Sequence, residues 1–310
     1  MRSGTGDVLI WVPTDPVADA LTGLDGVTVE VVSPAGATLP ESAASVEFYV
    51  PPFFPPPDAV TAMAQMPRLR VVQTLTAGFD RVRPHVPAGA VLCNARGAHD
   101  ASTAEWVVGA AVAVYRQFPY FAVEQAAGRW SYRFTDTLAG KNVLIVGYGS
   151  IGRSVERRLA GFDVEVRRVA RSARDGVSPA ADLPSLLPDA DVVILLAPVT
   201  KETVGMVDAA FLARMKDGAL LINAARGVLV VTDDLVAEVR TGRLSAAMDV
   251  TDPEPLPPGH PLWILPNVLI TPHVGASNPY SLGMANQLVR SQAERYLTGQ
   301  PLANVITGEY

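Results

Sequence analysis

The sequence predicts an α/β protein of two domains, each built on a parallel sheet. Three observations carry this prediction. The chain has 310 residues, more than one average domain and enough for two. Short β-branched runs alternate with stretches of helical composition in two successive sets, one before residue 100 and one after residue 140. A glycine-rich string, Gly147-Tyr148-Gly149-Ser150-Ile151-Gly152, stands where one such run passes into a helical stretch.

In the first set the strand-like runs are Val8 to Val12, Val27 to Val32, Val46 to Val50, Val71 to Thr74 and Val91 to Asn94. Pro16 to Leu24 and Asp58 to Met66 have helical composition and supply crossovers, which parallel strands require. Pro51 to Pro57, around Phe53 and Phe54, reads as a rigid loop, because proline fixes φ and lacks a backbone donor. From Ala101 an apolar pattern runs through Trp106, Ala111 and Tyr115 to about Ala127, the length of one long helix entering the second domain. The second set comprises six strands: Val143 to Val146, Val164 to Val169, Val192 to Leu196, Ala219 to Asn223, Ser245 to Val250 and Val268 to Thr271.

Composition narrows the function classes. Hydrophobic residues make up 49% and charged residues 18%, a balance that forms a core rather than a disordered chain. The net charge is -6 and the 25 lysines and arginines are scattered, so no basic stripe exists for nucleic acid. Cys93 is the only cysteine, which excludes an intrachain disulfide and a metal site with several thiolates, and a reducing cytoplasm is the expected compartment. The start, Met1 to Asp7, has no secretory or lipidation pattern and reads as mature protein. The longest apolar stretch, Trp106 to Val114, is far shorter than the roughly 20 residues of a spanning helix, so no membrane partner is expected.

The string Gly147 to Gly152 follows the strand Lys141 to Val146 and opens a helix through Val155 and Leu159. In that context it is a dinucleotide fingerprint. Gly147 allows the tight turn, Gly149 the approach of backbone to pyrophosphate, and Gly152 the packing of helix on strand. The helix N-terminus favours the anion through unpaired N–H groups and its dipole. The next strand, Val164 to Val169, ends in Ala170-Arg171-Ser172 instead of an acidic residue. Alanine removes repulsion of a 2′-phosphate, Arg171 offers a forked cation and Ser172 a hydroxyl. NADP(H) is therefore the expected cofactor, with NAD(H) as the alternative if Arg171 and Arg174 are only solvated surface charges.

Reducing a 2-oxo acid needs a cation for the carboxylate, a proton donor for the carbonyl oxygen, and a partner that keeps the donor charged. Arg226, in Asn223-Ala224-Ala225-Arg226-Gly227, emerges at a strand's carboxyl end, where α/β sheets hold ligands, and its planar guanidinium can grip a carboxylate. His273, in Thr271-Pro272-His273, ends another strand and is the best candidate proton donor, since imidazole is the side chain suited to general acid–base work. Glu254, in Asp252-Pro253-Glu254-Pro255, is the candidate partner, since a carboxylate beside an imidazolium stabilises and orients it. His260 competes for the donor role but suits a structural use in its proline-rich segment.

These residues resemble the D-isomer-specific 2-hydroxyacid dehydrogenase family, which includes glyoxylate/hydroxypyruvate reductases. The matching motifs are Gly147 to Gly152, Pro198-Val199-Thr200 with Glu202-Thr203, Met215 to Gly227, Asp249-Val250 with Glu254-Pro255, and Asn267 to Gly275. The resemblance implies that Arg226 binds carboxylate and carbonyl, that His273 is the acid/base, and that Glu254 is its partner. It implies a dinucleotide site of Gly147, Gly149, Ser150, Ile151 and Gly152, Arg171 and Ser172, Ala197, Pro198, Thr203, Ala224 and Thr103, with Asp249 at the nicotinamide carboxamide. Thr76-Ala77-Gly78 resembles the family's substrate loop, with backbone N–H groups at Ala77 and Gly78 for the carboxylate. Asn94, Gly97, Thr103, Ala104 and Glu105 resemble the interdomain segment that borders the cofactor.

The implied architecture is two Rossmann-like or flavodoxin-like domains with the active site in the cleft between them. Residues 1–98 with 281–310 form the discontinuous substrate domain, residues 99–280 the dinucleotide domain, and the assembly is usually a homodimer. Many members carry a proline before the glycine in the segment where this chain reads Arg96-Gly97; Arg96 and His99 could enter the cleft but are read as solvent-facing or helix-capping. The expected function is NADPH-dependent reduction of a small 2-oxo acid to the D-2-hydroxy acid. The alternative is a dinucleotide-sensing binding protein or corepressor on the same fold without physiological turnover.

Overall fold

A computed structural model describes residues 7–34 and 38–308; the sequence reading at Met1 to Gly6 lies outside them. The chain divides into two compact units, one ending at His99 and resuming at Asn278, the other Asp100–Ser277. The return to the first unit coincides with a helix start: Asn278 caps Pro279–Thr298 by accepting from Ser281 N at 3.0 Å. The sequence alone put this boundary at residues 280/281.

The first unit holds five parallel strands, β1 (Val8–Val12), β2 (Val27–Val31), β3 (Val46–Tyr49), β4 (Val71–Gln73) and β5 (Val91–Cys93), in the order β2-β1-β3-β4-β5. β1 is apolar and buried at every position, as a strand covered on both faces must be. Helix Pro279–Thr298 lays Ala285, Val289 and Ala293, spaced by one turn each, against Ile10, Val12 and Phe48. Beyond Gly299 (φ +68°), which ends the helix in the left-handed region, the tail returns along β5. Val305 bridges Cys93 antiparallel and Ile306 N–H donates to Leu92 O at 2.9 Å, covering a sheet edge. Burial pushes the Cys93 thiol up to about 11, so the lone cysteine is no thiolate nucleophile at neutral pH.

The second unit holds seven parallel strands: β6 (Asn142–Val146), β7 (Glu165–Ala170), β8 (Ser178–Pro179), β9 (Val192–Leu195), β10 (Leu220–Asn223), β11 (Ser245–Met248) and β12 (Val268–Ile270). Their order, β12-β11-β10-β9-β6-β7-β8, reverses direction between β6 and β9, the switch point where doubly wound sheets bind ligands. Separate apolar clusters cover the two faces, one around Leu144, Val193 and Leu221, the other around Ile145, Ile194 and Ile222. The alternation along each strand divides the core this way. Truncating one such leucine to alanine costs about 2–5 kcal/mol.

Two expectations need correction. The two-residue β8 is an added strand, too short to register as a β-branched run. The single helix expected from Ala101 to Ala127 is two, Asp100–Tyr115 and Phe118–Ala126. Gln117 between them has φ +54°, and Pro119 in the next turn cannot donate to a continuing helix. Among the described residues no helix is long and apolar enough to cross a membrane.

Candidate active site

The fingerprint lies at the switch point. Gly147 has φ +102°, and a Cβ there would come within 2.3 Å of Ala197 N, so the turn after β6 presses on the backbone leaving β9 and only glycine fits. A Cβ on Gly152 would approach Gly147 O at 3.0 Å, which keeps helix Ser150–Leu159 close beneath the loop. The cradle and the helix N-terminus fit a pyrophosphate. Ser150 Oγ donates to Asp100 Oδ1 at 3.0 Å, while Ile151 is half-buried against the cluster containing Ile145. Ala197 and Pro198 leave β9, where Thr203 Oγ1 closes a turn by donating to Pro198 O at 2.6 Å. Ala224 N–H donates to Leu195 O at 3.3 Å, and Thr103 is buried in helix Asp100–Tyr115.

At the end of β7, Arg171 and Ser172 are exposed. Glu202 lies within electrostatic reach: the Thr200 hydroxyl, a backbone N–H and the attraction of Arg171 and Lys201 hold its carboxyl below the usual range. Arg174, a solvated surface charge only in the alternative sequence reading, donates to the carbonyl of Tyr148 inside the fingerprint and lies 5.8 Å from that ring. Arg168 lies at the same distance from the ring and pairs with Glu156. Nothing local in the sequence marks Arg174, because its partner is 26 residues away.

The chemical groups gather at the carboxyl ends of the neighbouring strands β10, β11 and β12. Arg226 follows β10 in a turn fixed by Asn223, whose Nδ2 donates to Arg226 O at 2.9 Å and whose Oδ1 accepts from Ala225 N at 3.0 Å. A Cβ on Gly227 would lie 2.0 Å from Thr251 O, so this turn touches the segment leaving β11. Glu254 ends that segment, and its Oε1 is 2.6 Å from His273 Nδ1. His273 and Glu254 side chains are 27% and 28% exposed, low enough to hold the pair in place and open enough to reach a ligand.

Asp249 is nearly buried, and both its carboxylate oxygens face the turn that carries His273. Oδ1 accepts from Thr271 Oγ1 at 2.6 Å and Val274 N at 2.9 Å, and Oδ2 from Gly275 N at 2.8 Å. His273 itself has φ +56° and donates its N–H to Asp249 O at 2.7 Å. Such a backbone costs about 1–3 kcal/mol in a non-glycine residue and persists where surroundings over-determine it. The Asp249 scaffold supplies that constraint. One acceptor position on Oδ2 is left by these bonds.

In the first unit the Thr76–Gly78 loop has its carbonyls captured. Thr76 O accepts from Ala95 N at 2.9 Å and Thr74 Oγ1 at 2.7 Å, Gly78 O from Thr76 Oγ1 at 2.6 Å, and Ala77 O from Asn94 Nδ2 at 2.7 Å. Among the described residues no acceptor meets the N–H of Ala77 or Gly78. Two successive N–H groups without an acceptor offer donors to an anion.

His99 does not face solvent. It is buried, with Nε2 2.7 Å from Leu75 O and its ring 5.6 Å from Phe53, which packs edge-on to the half-exposed Phe54. Arg96 is exposed and bonds Asn304. His260 has a structural use, its Nδ1 accepting from Leu262 N at 3.3 Å at the start of Pro261–Ile264.

A family model described as D-isomer specific 2-hydroxyacid dehydrogenase, NAD binding domain, matches residues 108–275. A glyoxylate reductase of Thermofilum pendens is 34% identical over 232 residues, 69% of this chain and 68% of that protein. A glyoxylate reductase/hydroxypyruvate reductase of Mus musculus is 33% identical over 240 residues, 71% of this chain and 73% of that protein. Among solved structures, a D-isomer specific 2-hydroxyacid dehydrogenase from Xanthobacter autotrophicus Py2 in complex with NADPH and MES aligns with a TM-score of 0.84 at 27% identity, over 97% of this chain and 98% of that one. An NADPH-dependent glyoxylate/hydroxypyruvate reductase from Sinorhizobium meliloti, in complex with NADP and sulfate, aligns at 0.80 and 27% identity, over 97% and 98%. With five ordered motifs, two parallel-sheet units and these relatives in agreement, the chain belongs to the D-isomer specific 2-hydroxyacid dehydrogenase family.

Proposed function

We propose that the protein reduces a small 2-oxo acid to the D-2-hydroxy acid, with NADPH as the preferred reductant. The observation that carries this reading is the 2.6 Å pair between His273 Nδ1 and Glu254 Oε1, held at the same sheet edge as Arg226. When bound, the dinucleotide supplies the hydride. Gly147, Gly149 and Gly152 cradle its pyrophosphate, and Arg171 with Ser172 takes the 2′-phosphate.

Arg226 grips the substrate carboxylate and stabilises negative charge developing on the carbonyl oxygen. Glu254 occupies Nδ1 of His273 and holds the ring in place, so Nε2 is the nitrogen that gives its proton to that oxygen. The unpaired N–H groups of Ala77 and Gly78 support the resemblance-based role of this loop as a second carboxylate ligand. Asp249 retains one acceptor position for the nicotinamide carboxamide, although its first task is to hold the His273 turn.

We also read the protein as a cytoplasmic homodimer. Trp130, Tyr132 and Phe134 are 100%, 83% and 87% exposed on one short segment, which Glu124 anchors through Arg129 and Ser131. Apolar surface of this kind supports burial against a second copy. Steady-state oxidation of NADPH and NADH against a panel of 2-oxo acids, with chiral analysis of the product, tests the reading. Turnover giving the D product supports it; dinucleotide binding without turnover on any acid favours the sensing alternative.

A further inference from the structure

We propose that Asn94 and Asn304 form a positioning relay through which the C-terminal tail sets the orientation of the Gly78 N–H toward substrate carboxylate. This rests on the proposed 2-oxo acid reduction and assigns work to a tail remote in sequence from every motif. The relay begins at the loop, where Asn94 Nδ2 donates to Ala77 O at 2.7 Å. That bond fixes the peptide plane between Ala77 and Gly78, and so the direction of the Gly78 N–H.

Asn94 is in turn held from the tail. Its backbone N–H donates to Asn304 O at 3.2 Å, and its Oδ1 accepts from Arg96 N at 3.2 Å. Asn304 clamps Arg96, donating from Nδ2 to Arg96 O at 3.0 Å and accepting from Arg96 Nε at 3.4 Å. Its φ of +53° lies in the left-handed region, which asparagine tolerates better than most side chains. The tail is itself fixed: the fully buried Gln292 bonds both the N–H and the C=O of Ala303, at 2.8 and 2.9 Å. A chain of hydrogen bonds thus runs from the terminal helix to the loop within a single unit.

The test compares full-length wild-type protein with Asn304→Gly, which keeps the left-handed backbone and deletes both side-chain bonds, and Asn94→Asp, isosteric but unable to donate to Ala77 O. The expected result is a KM for the 2-oxo acid raised about tenfold, the scale of one lost hydrogen bond of roughly 1.4 kcal/mol. The melting temperature stays near wild type in both variants, and in Asn304→Gly so does the KM for NADPH. Asn304→Asp, which keeps an acceptor for Arg96 Nε, recovers part of the loss. If Asn304→Gly does not fold, Asn94→Asp decides alone. A substrate KM within twofold of an active wild type overturns the relay while leaving the functional reading intact; an inactive wild type overturns both.

Discussion

His273 and Glu254, on separate loops at the carboxyl edge of one sheet, meet at 2.6 Å through Nδ1 and Oε1. A charge-assisted hydrogen bond of this kind is worth about 1.5–3 kcal/mol, so Glu254→Gln is expected to lower kcat/KM about 10- to 100-fold. Dinucleotide affinity, followed by nicotinamide fluorescence, should not change. Unaltered kinetics in this variant would remove Glu254 from the account.

Arg171 separates the two cofactors. Only NADPH carries the 2′-phosphate, so Arg171→Ala should raise KM for NADPH about 10- to 100-fold and leave KM for NADH nearly unchanged. Equal effects on both would show that the side chain does not face the phosphate.

The site residues most readable from sequence were those at strand ends. An apolar run followed by Asn-Ala-Ala-Arg-Gly or Thr-Pro-His announces both the strand and the side chain leaving it, so Arg226 and His273 were placed by local pattern. The same holds for Gly147, whose close approach to Ala197 is a consequence of strand order. Arg174 and Asn304 were not readable, because their meaning comes from partners 26 and 208 residues away. The burial of His99 was not readable because its neighbours in sequence are polar or small, whereas it comes from Phe53 and the Leu75 carbonyl. The helix break at Gln117 was hidden by an apolar pattern that continues across it on both sides.

Acid should destabilise the second unit through paired carboxylates. The Arg168 guanidinium holds the Glu156 carboxyl below its ordinary value of 4.5, and Lys141 does the same for Asp136 below 3.8. For Asp191, burial pushes upward, but the Asn142 N–H and Lys216 prevail and the net direction is down from 3.8. A group depressed on folding stabilises above its unfolded pKa and loses that contribution as pH falls through the folded one. Stability should therefore be level above about pH 5 and decline below about pH 4. Denaturant midpoints should show a shallower decline in Glu156→Gln; a slope equal to wild type would contradict this assignment.

Gly227 tests the contact between the Arg226 turn and the β11 segment. A methyl group there meets the Thr251 carbonyl at 2.0 Å, and neither backbone can yield without moving a site residue. Gly227→Ala should cost about 1–3 kcal/mol or more in stability and depress turnover with it. A variant as stable and active as wild type would show that the two segments are not in contact.

The central claim is that His273 delivers a proton to the oxygen of a 2-oxo acid gripped by Arg226. NADPH oxidation with glyoxylate and hydroxypyruvate, measured for wild type and His273→Asn beside NADPH binding for each, tests it most directly. Turnover is expected in wild type and a loss of about 10²- to 10⁴-fold in the variant, with binding retained. A variant as fast as wild type, or a wild type that binds NADPH and reduces neither acid, would contradict it.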